Sequence, residues 1–153
     1  MKKYVIVTDS TTDLTWEFAK ENELVVLPLG YSIDGNNYKD YLDRRDLAIH
    51  DFYKKIDSGL TSKTTQLNSE AVYKVFEELV LNDIGILGIF FSSGLSGTYN
   101  SARIAYEEII EKYPNAEIKI VDSLCASLGE GLLVHYAIKA HKKGKSLQEN
   151  YQY

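Results

Sequence analysis

Cysteine is nearly missing from this chain. Cys125 is the only one in 153 residues, so neither an internal disulfide nor a cysteine-based metal site can form. Histidine is almost as scarce. His50, His135 and His141 lie far apart, with no carboxylate pair at ligand spacing, which leaves no metal motif. His135 follows the apolar stretch Leu132-Leu133-Val134 and reads as a core residue rather than a base. Long apolar runs are also lacking. None approaches the ~20 residues of a membrane span, and Met1-Lys2-Lys3 leads into a short apolar strand rather than a signal-peptide core. A cytoplasmic location is expected. Positive charge is in deficit, with a net −5, so a basic face for nucleic acid is not expected. A small anion stays possible, because local dipoles can oppose the global sign.

Several catalytic motifs are missing too. No Gly-x-x-x-x-Gly-Lys-Ser/Thr phosphate loop occurs. The turn after the first strand, Asp9-Ser10-Thr11-Thr12, lacks the glycines of a dinucleotide fingerprint. Gly94-Leu95-Ser96-Gly97 approaches a serine-hydrolase elbow but breaks it with Thr98. No histidine stands at a strand end to serve Ser96 as a base.

What remains is an ordinary globular composition, 44% hydrophobic and 25% charged, sufficient for one domain with a real core. Tyr4-Val5-Ile6-Val7 predicts a buried parallel strand, followed by a helix over 14–22 with Ser10 and Asp13 at capping-box spacing. Residues 24–32 predict a second strand, with Pro28 near an edge or ending its regular pairing. Asp34-Gly35-Asn36-Asn37 is a turn cluster, 43–57 a helix, 58–68 a polar loop, and a further helix opens at Ser69. Ile84–Phe91 is the most central strand. A helix runs from Thr98 to about Tyr113, a fourth strand covers Ile118–Val121, and 126–143 is helical. Alternating strands and helices predict an α/β class fold, a parallel sheet with helices on both faces. Ser146 and Glu149 announce one more helix at capping-box spacing, but the chain stops at Tyr153, too soon for a helix to hold in isolation.

Three predicted strands end in related chemistry: Asp9-Ser10, Ser92-Ser93 and Asp122-Ser123. A parallel sheet brings such ends to one edge, where open α/β sheets bind ligands. The segment Phe90–Ala102 adds glycines and hydroxyls and has no ionisable side chain beyond Tyr99. A carboxylate only accepts hydrogen bonds, so it needs donors. Ser and Thr hydroxyls and the N–H groups opening the Thr98 helix supply them, while Gly94 and Gly97 allow close approach. A capped turn without ligand accounts for these residues equally well.

Val7–Leu14, Gly35 with Tyr38 and Asp40, Phe52-Tyr53, the segment Ser92-Ser93-Gly94-Leu95-Ser96-Gly97-Thr98-Tyr99, and Asp122-Ser123 with Ser127, Gly129 and Gly131 together resemble the DegV family, in order along the whole chain. The resemblance implies a fatty-acid-binding protein, with the acyl chain in an apolar tunnel and the carboxylate held by hydroxyls. In some members an ATP-dependent fatty acid kinase receives the bound acid. Ser96 matches the carboxylate-binding serine. The family's Thr-Ser-Gln-Pro loop falls on Thr64-Thr65-Gln66-Leu67, which makes Thr64 the second hydroxyl; Thr61-Ser62 is a rival register lacking Gln66. The N–H of Gly97 or Thr98 would add to these, and Asp9, Ser10, Ser93, Asp122 and Ser123 would support the loops. Family members continue into a C-terminal domain, so residues 1–153 are expected to be the N-terminal, head-group-binding domain alone. A bare apolar face, open to self-association, is then expected, with some of the twelve Tyr on it. No catalytic residue, cofactor or metal is expected. The alternatives are an ester hydrolase using Ser96 and a stand-alone protein-interaction module.

Overall fold

The apolar runs assemble as their patterning requires. In the computed structural model, which describes residues 3–153, β1 (Tyr4–Asp9) pairs with β2 (Val25–Leu27) on one side. On its other side it pairs with β6 (Gly85–Phe90), which pairs in turn with β7 (Ile118–Asp122). All pairings are parallel, in the order β2-β1-β6-β7. Met1 and Lys2 of the leader reading lie outside the described residues.

Every residue of β6 is buried, as a strand covered on both faces must be. Its side chains alternate between two cores. Ile86 and Phe90 join Val72 and Phe76 of α3 (Ser69–Leu81) and Ala105 and Ile109 of α4 (Thr98–Lys112). Leu87 and Ile89 face Val134 and Ile138 of α5 (Leu128–Lys142). The fold is thus the predicted α/β sandwich, with helices on both sheet faces. No helix of the described residues is long and apolar enough to cross a membrane.

Five local expectations are corrected. The second strand splits. After β2, Pro28 offers no N–H to a ladder, and the chain turns into β3 (Gly30–Ile33), the centre of a separate antiparallel sheet ordered β4-β3-β5. There Asp34-Gly35 (φ 56° and 71°) forms a two-residue hairpin into β4 (Asn36–Lys39), with Ile33 opposite Asn36. The polar loop 58–68 contains β5 (Lys63–Thr65), which pairs with β3. The 43–57 helix shortens to α2 (Ile49–Asp57), because Arg44 is left-handed (φ 56°) and the Asp46 carboxylate accepts from Lys39 N–H at 2.8 Å. The first helix, α1 (Trp16–Glu21), is capped by Thr15. Ser10–Thr12 instead forms a 3-10 turn ended by left-handed Asp13. Finally, the helix announced at Ser146 does form.

That last helix, α6 (Leu147–Tyr151), shows why length alone misleads. Both halves of its capping box are made: Glu149 N–H donates to Ser146 Oγ, and Ser146 N–H donates to Glu149 Oε2 at 2.8 Å. Leu147 joins the α5-side core. Asn150 is buried, and its Nδ2 donates to Ala137 O and Tyr4 Oη, each at 2.9 Å. Docking supplies what an isolated turn lacks. His135, read as a core residue, is only half-buried, packed beside Phe18 at a 5.8 Å ring separation.

Candidate functional site

The sheet order reverses beside β1, with β2 reached on one side and β6 on the other. Parallel sheets open a crevice at such a point. Two carboxylates grip the loop after β6 there. Asp9 Oδ1 accepts from Thr11 N–H (2.9 Å), and Asp9 Oδ2 accepts from Phe91 N–H (2.9 Å). From the other side Asp122 Oδ1 accepts from Ser93 N–H (3.0 Å) and Leu124 N–H (3.2 Å). Buried Ser92 turns the loop: its Oγ accepts from Gly94 N–H and its carbonyl from Ser96 N–H. Ser123 N–H donates to Phe90 O, and Ser10 Oγ accepts from Leu29 N–H at 3.1 Å.

The loop delivers Ser96, Gly97 and Thr98 to the start of α4. Ser96 Oγ accepts from Thr98 N–H at 3.2 Å and lies 3.0 Å from Thr98 Oγ1. Its oxygen thus accepts from the Thr98 backbone, and either of the two hydroxyls can donate to the other. Among the described residues no histidine hydrogen-bonds to Ser96. Thr98 Oγ1 in turn accepts from Leu67 N–H at 3.3 Å. The Gln66 amide packs onto Gly97, where a Cβ would lie 1.9 Å from Gln66 Oε1 and would have to displace it. The turn after β5 and the start of α4 therefore interlock through Gln66, two residues beyond Thr64.

Beside β3 and β5 lies a cavity of about 290 Å³. Thr11, Ser62 and Thr64 bring hydroxyl-bearing side chains to it, and Tyr31, Phe52 and Tyr53 give it aromatic walls. Tyr31 and Phe52 meet edge-on at 5.7 Å. Arg44 lines it too, paired with Asp40. Ser62, just before β5, and Thr64 within it both line the cavity, so both candidate registers bring a hydroxyl to it. Ser96 does not line it. The structure thus gathers Thr64, Ser62 and Thr11 at the cavity, and Ser96, Gly97 and Thr98 at the start of α4, where Gln66 packs against Gly97.

Two residues escaped the sequence reading: Thr11 and Glu130. Glu130, in the first turn of α5, is completely buried. Its Oε1 accepts from Thr8 Oγ1 at 3.2 Å, and its Oε2 lies 2.8 Å from Thr11 Oγ1. Burial, with the negative charge of Asp9 second, pushes its carboxyl up to about 8, and burial also raises that of Asp9. Gly131 permits this approach, since a Cβ there would meet Thr12 O at 2.6 Å. One signal was present: Ser127 and Glu130 have capping-box spacing. The box is not made. Ser127 makes no cap bond, its Oγ donates to Asp13, and Glu130 turns inward.

The chain matches the family model described as "Uncharacterised protein, DegV family" over residues 3–152. It is 48% identical over its full length to a DegV domain-containing protein of Clostridium perfringens, covering 52% of that relative. Among solved structures it resembles a stearic-acid-binding protein from Eubacterium ventriosum (TM-score 0.88, 28% identity), covering 97% of this chain and 51% of that one. It also resembles a DegV family protein from Thermus thermophilus described by its fatty acid binding (TM-score 0.84, 28% identity), covering 98% and 51%. The chain spans about half the length of these relatives. With a family match running almost end to end and the same α/β sandwich, the chain belongs to the DegV family.

Proposed function

We propose that this chain binds a long-chain fatty acid. The carboxylate is held by the hydroxyls of Thr64 and Ser96 and by the N–H of Gly97 or Thr98, at the lip formed by Gln66. The acyl chain starts into the cavity behind Thr64. The observation that carries this reading is the mixed lining of that cavity, where the hydroxyl residues Thr11, Ser62 and Thr64 meet the aromatic rings of Tyr31, Phe52 and Tyr53. That is the polarity of a fatty acid near its head.

Magnitudes divide the work. One neutral hydrogen bond nets ~1 kcal/mol, whereas each buried CH₂ contributes ~0.8 kcal/mol. Affinity therefore rests on the chain, and the hydroxyls fix its direction. A cavity of about 290 Å³ stands at the small end of ligand sites and takes only the head-proximal part. The remainder of the acyl chain needs apolar surface beyond residues 1–153, such as a C-terminal half like that of the full-length relatives or another copy of this chain. A head group at an open lip stays within reach of a fatty acid kinase. Ser96, bonded to Thr98 rather than to a base, serves as a donor and not as a nucleophile.

The test is native mass spectrometry of freshly purified protein, followed by stearate titration of Thr64→Ala and Ser96→Ala. Carried carboxylic lipid is expected, with each substitution weakening binding about fivefold, the equivalent of one neutral hydrogen bond. No lipid bound, even with the C-terminal half of the Clostridium relative supplied, overturns the reading. Ester turnover that vanishes in Ser96→Ala would replace it with the hydrolase.

A further inference from the structure

Thr11 Oγ1 sits between two carboxyl groups, 2.6 Å from Asp9 Oδ1 and 2.8 Å from Glu130 Oε2. A hydroxyl has one proton to donate. It can serve only one carboxylate, so at these distances the other carboxyl carries a proton and donates to Thr11. The remaining partners decide which. Both Asp9 oxygens already accept backbone N–H groups, from Thr11 and Phe91, the environment that favours an anion. Glu130 meets the hydroxyls of Thr8 and Thr11 and the Asp9 carboxyl itself, with no backbone N–H of the described residues among its hydrogen-bond donors and no exposure to water.

We propose that Glu130 is a positioning residue, held as the neutral acid, which donates to Thr11 so that Thr11 donates to Asp9, and which thereby fixes the Thr11 wall of the head-group cavity. The relay runs from α5 through the 3-10 turn to the end of β1, and Asp9 continues it to Phe91 at the end of β6. It leaves one negative charge behind Thr11 instead of two. Where the ligand is a carboxylate, that difference matters directly. The binding part of this inference rests on the fatty-acid reading; the protonation part does not.

The groups acting on Glu130 are all acidic or neutral. Asp9 and, more weakly, Asp13 oppose its ionisation. Thr8 and Thr11 offer hydroxyls, and β6 carries no ionisable side chain. No cation lies among the influences on it that would hold the ionised form. The start of α5 itself favours an anion, but complete burial outweighs that half-charge.

Two measurements test this on the intact chain. The first follows the side-chain carboxyl ¹³C resonance of Glu130 with pH in the wild-type protein, which needs no variant. Glu130 is expected to titrate near pH 8. A midpoint in the ordinary glutamate range overturns the proposal. The second compares stearate binding from about pH 6 to about pH 9 in wild type and Glu130→Gln, whose amide can donate to Thr11 at every pH. Wild-type affinity is expected to fall about tenfold, the order set by one more unit charge facing an anion near a protein surface. That dependence should vanish in Glu130→Gln, and its persistence there overturns the positioning role. A high midpoint in a protein that binds no stearate at any pH, even with the C-terminal half of the Clostridium relative supplied, supports the relay and overturns the fatty-acid reading instead.

Discussion

The buried acid predicts an unusual dependence of stability on pH. In the unfolded chain Glu130 titrates at 4.5, and in the folded protein at about 8. Between these values the folded state binds a proton that the unfolded state has released, so stability falls as pH rises. The contribution is fully present below the unfolded value and is lost through the folded one. At about 1.4 kcal/mol per unit, the loss between pH 4.5 and pH 8 is roughly 3–5 kcal/mol, and burial of Asp9 acts in the same direction. Against a typical 5–15 kcal/mol for a domain, that is a large fraction. Opposing groups do not blur the window. Hydrogen bonds hold Glu77 (to about 2), Asp122 and Glu149 below the ordinary range, and their contribution is lost only under acid. Urea unfolding at about pH 5, 7 and 9 measures the effect directly. With a slope near 2 kcal/mol/M, the midpoint should drop by roughly 2 M across the series. Glu130→Gln should flatten the profile, its amide donating to Thr11 and its carbonyl accepting from Thr8. A wild-type midpoint that holds or rises with pH, or a variant as steep as wild type, refutes the buried neutral acid.

Two further substitutions separate the site from the scaffold. Gly97→Ala forces the end of the Gln66 side chain away. Stearate affinity should fall several-fold while urea stability changes by less than about 1 kcal/mol, because a flexible amide yields cheaply; unchanged affinity would remove Gln66 from the lip. Asn150→Ala removes both donors that pin α6 to Tyr4 and α5. A loss of about 1–3 kcal/mol is expected by urea unfolding, and no loss would mean that α6 is not docked in solution.

The central sheet was legible because its signal is local. Tyr4–Val7, Ile84–Phe91 and Ile118–Val121 are apolar runs bounded by turn residues, and burial on both faces requires that pattern. The small sheet was not legible because it lacks the pattern. β4 (Asn-Asn-Tyr-Lys) and β5 (Lys-Thr-Thr) are almost entirely exposed. Their strand character comes from backbone pairing to β3, which no side-chain periodicity records. The Asp34-Gly35 turn carried the one usable clue, since that dipeptide between short strands favours a two-residue hairpin. Glu130 was hidden differently. A glutamate in a first helical turn normally faces water and caps, and nothing local says that α5 approaches the 3-10 turn closely enough to bury it.

The same geometry dissolves a choice that the sequence left open. Thr61-Ser62 and Thr64-Thr65-Gln66 competed as the segment supplying the second hydroxyl, as though one reading had to fail. Ser62, just before β5, and Thr64 within it both line the same cavity. What distinguishes the registers is Gln66. Only the Thr64 register contains Gln66, whose amide lies against Gly97. With the head group at the Gln66 lip, as proposed, Thr64 is the hydroxyl nearer to Gln66 along the chain and Ser62 the more distant one. The two positions then divide between orienting the carboxylate and lining the path of its acyl chain.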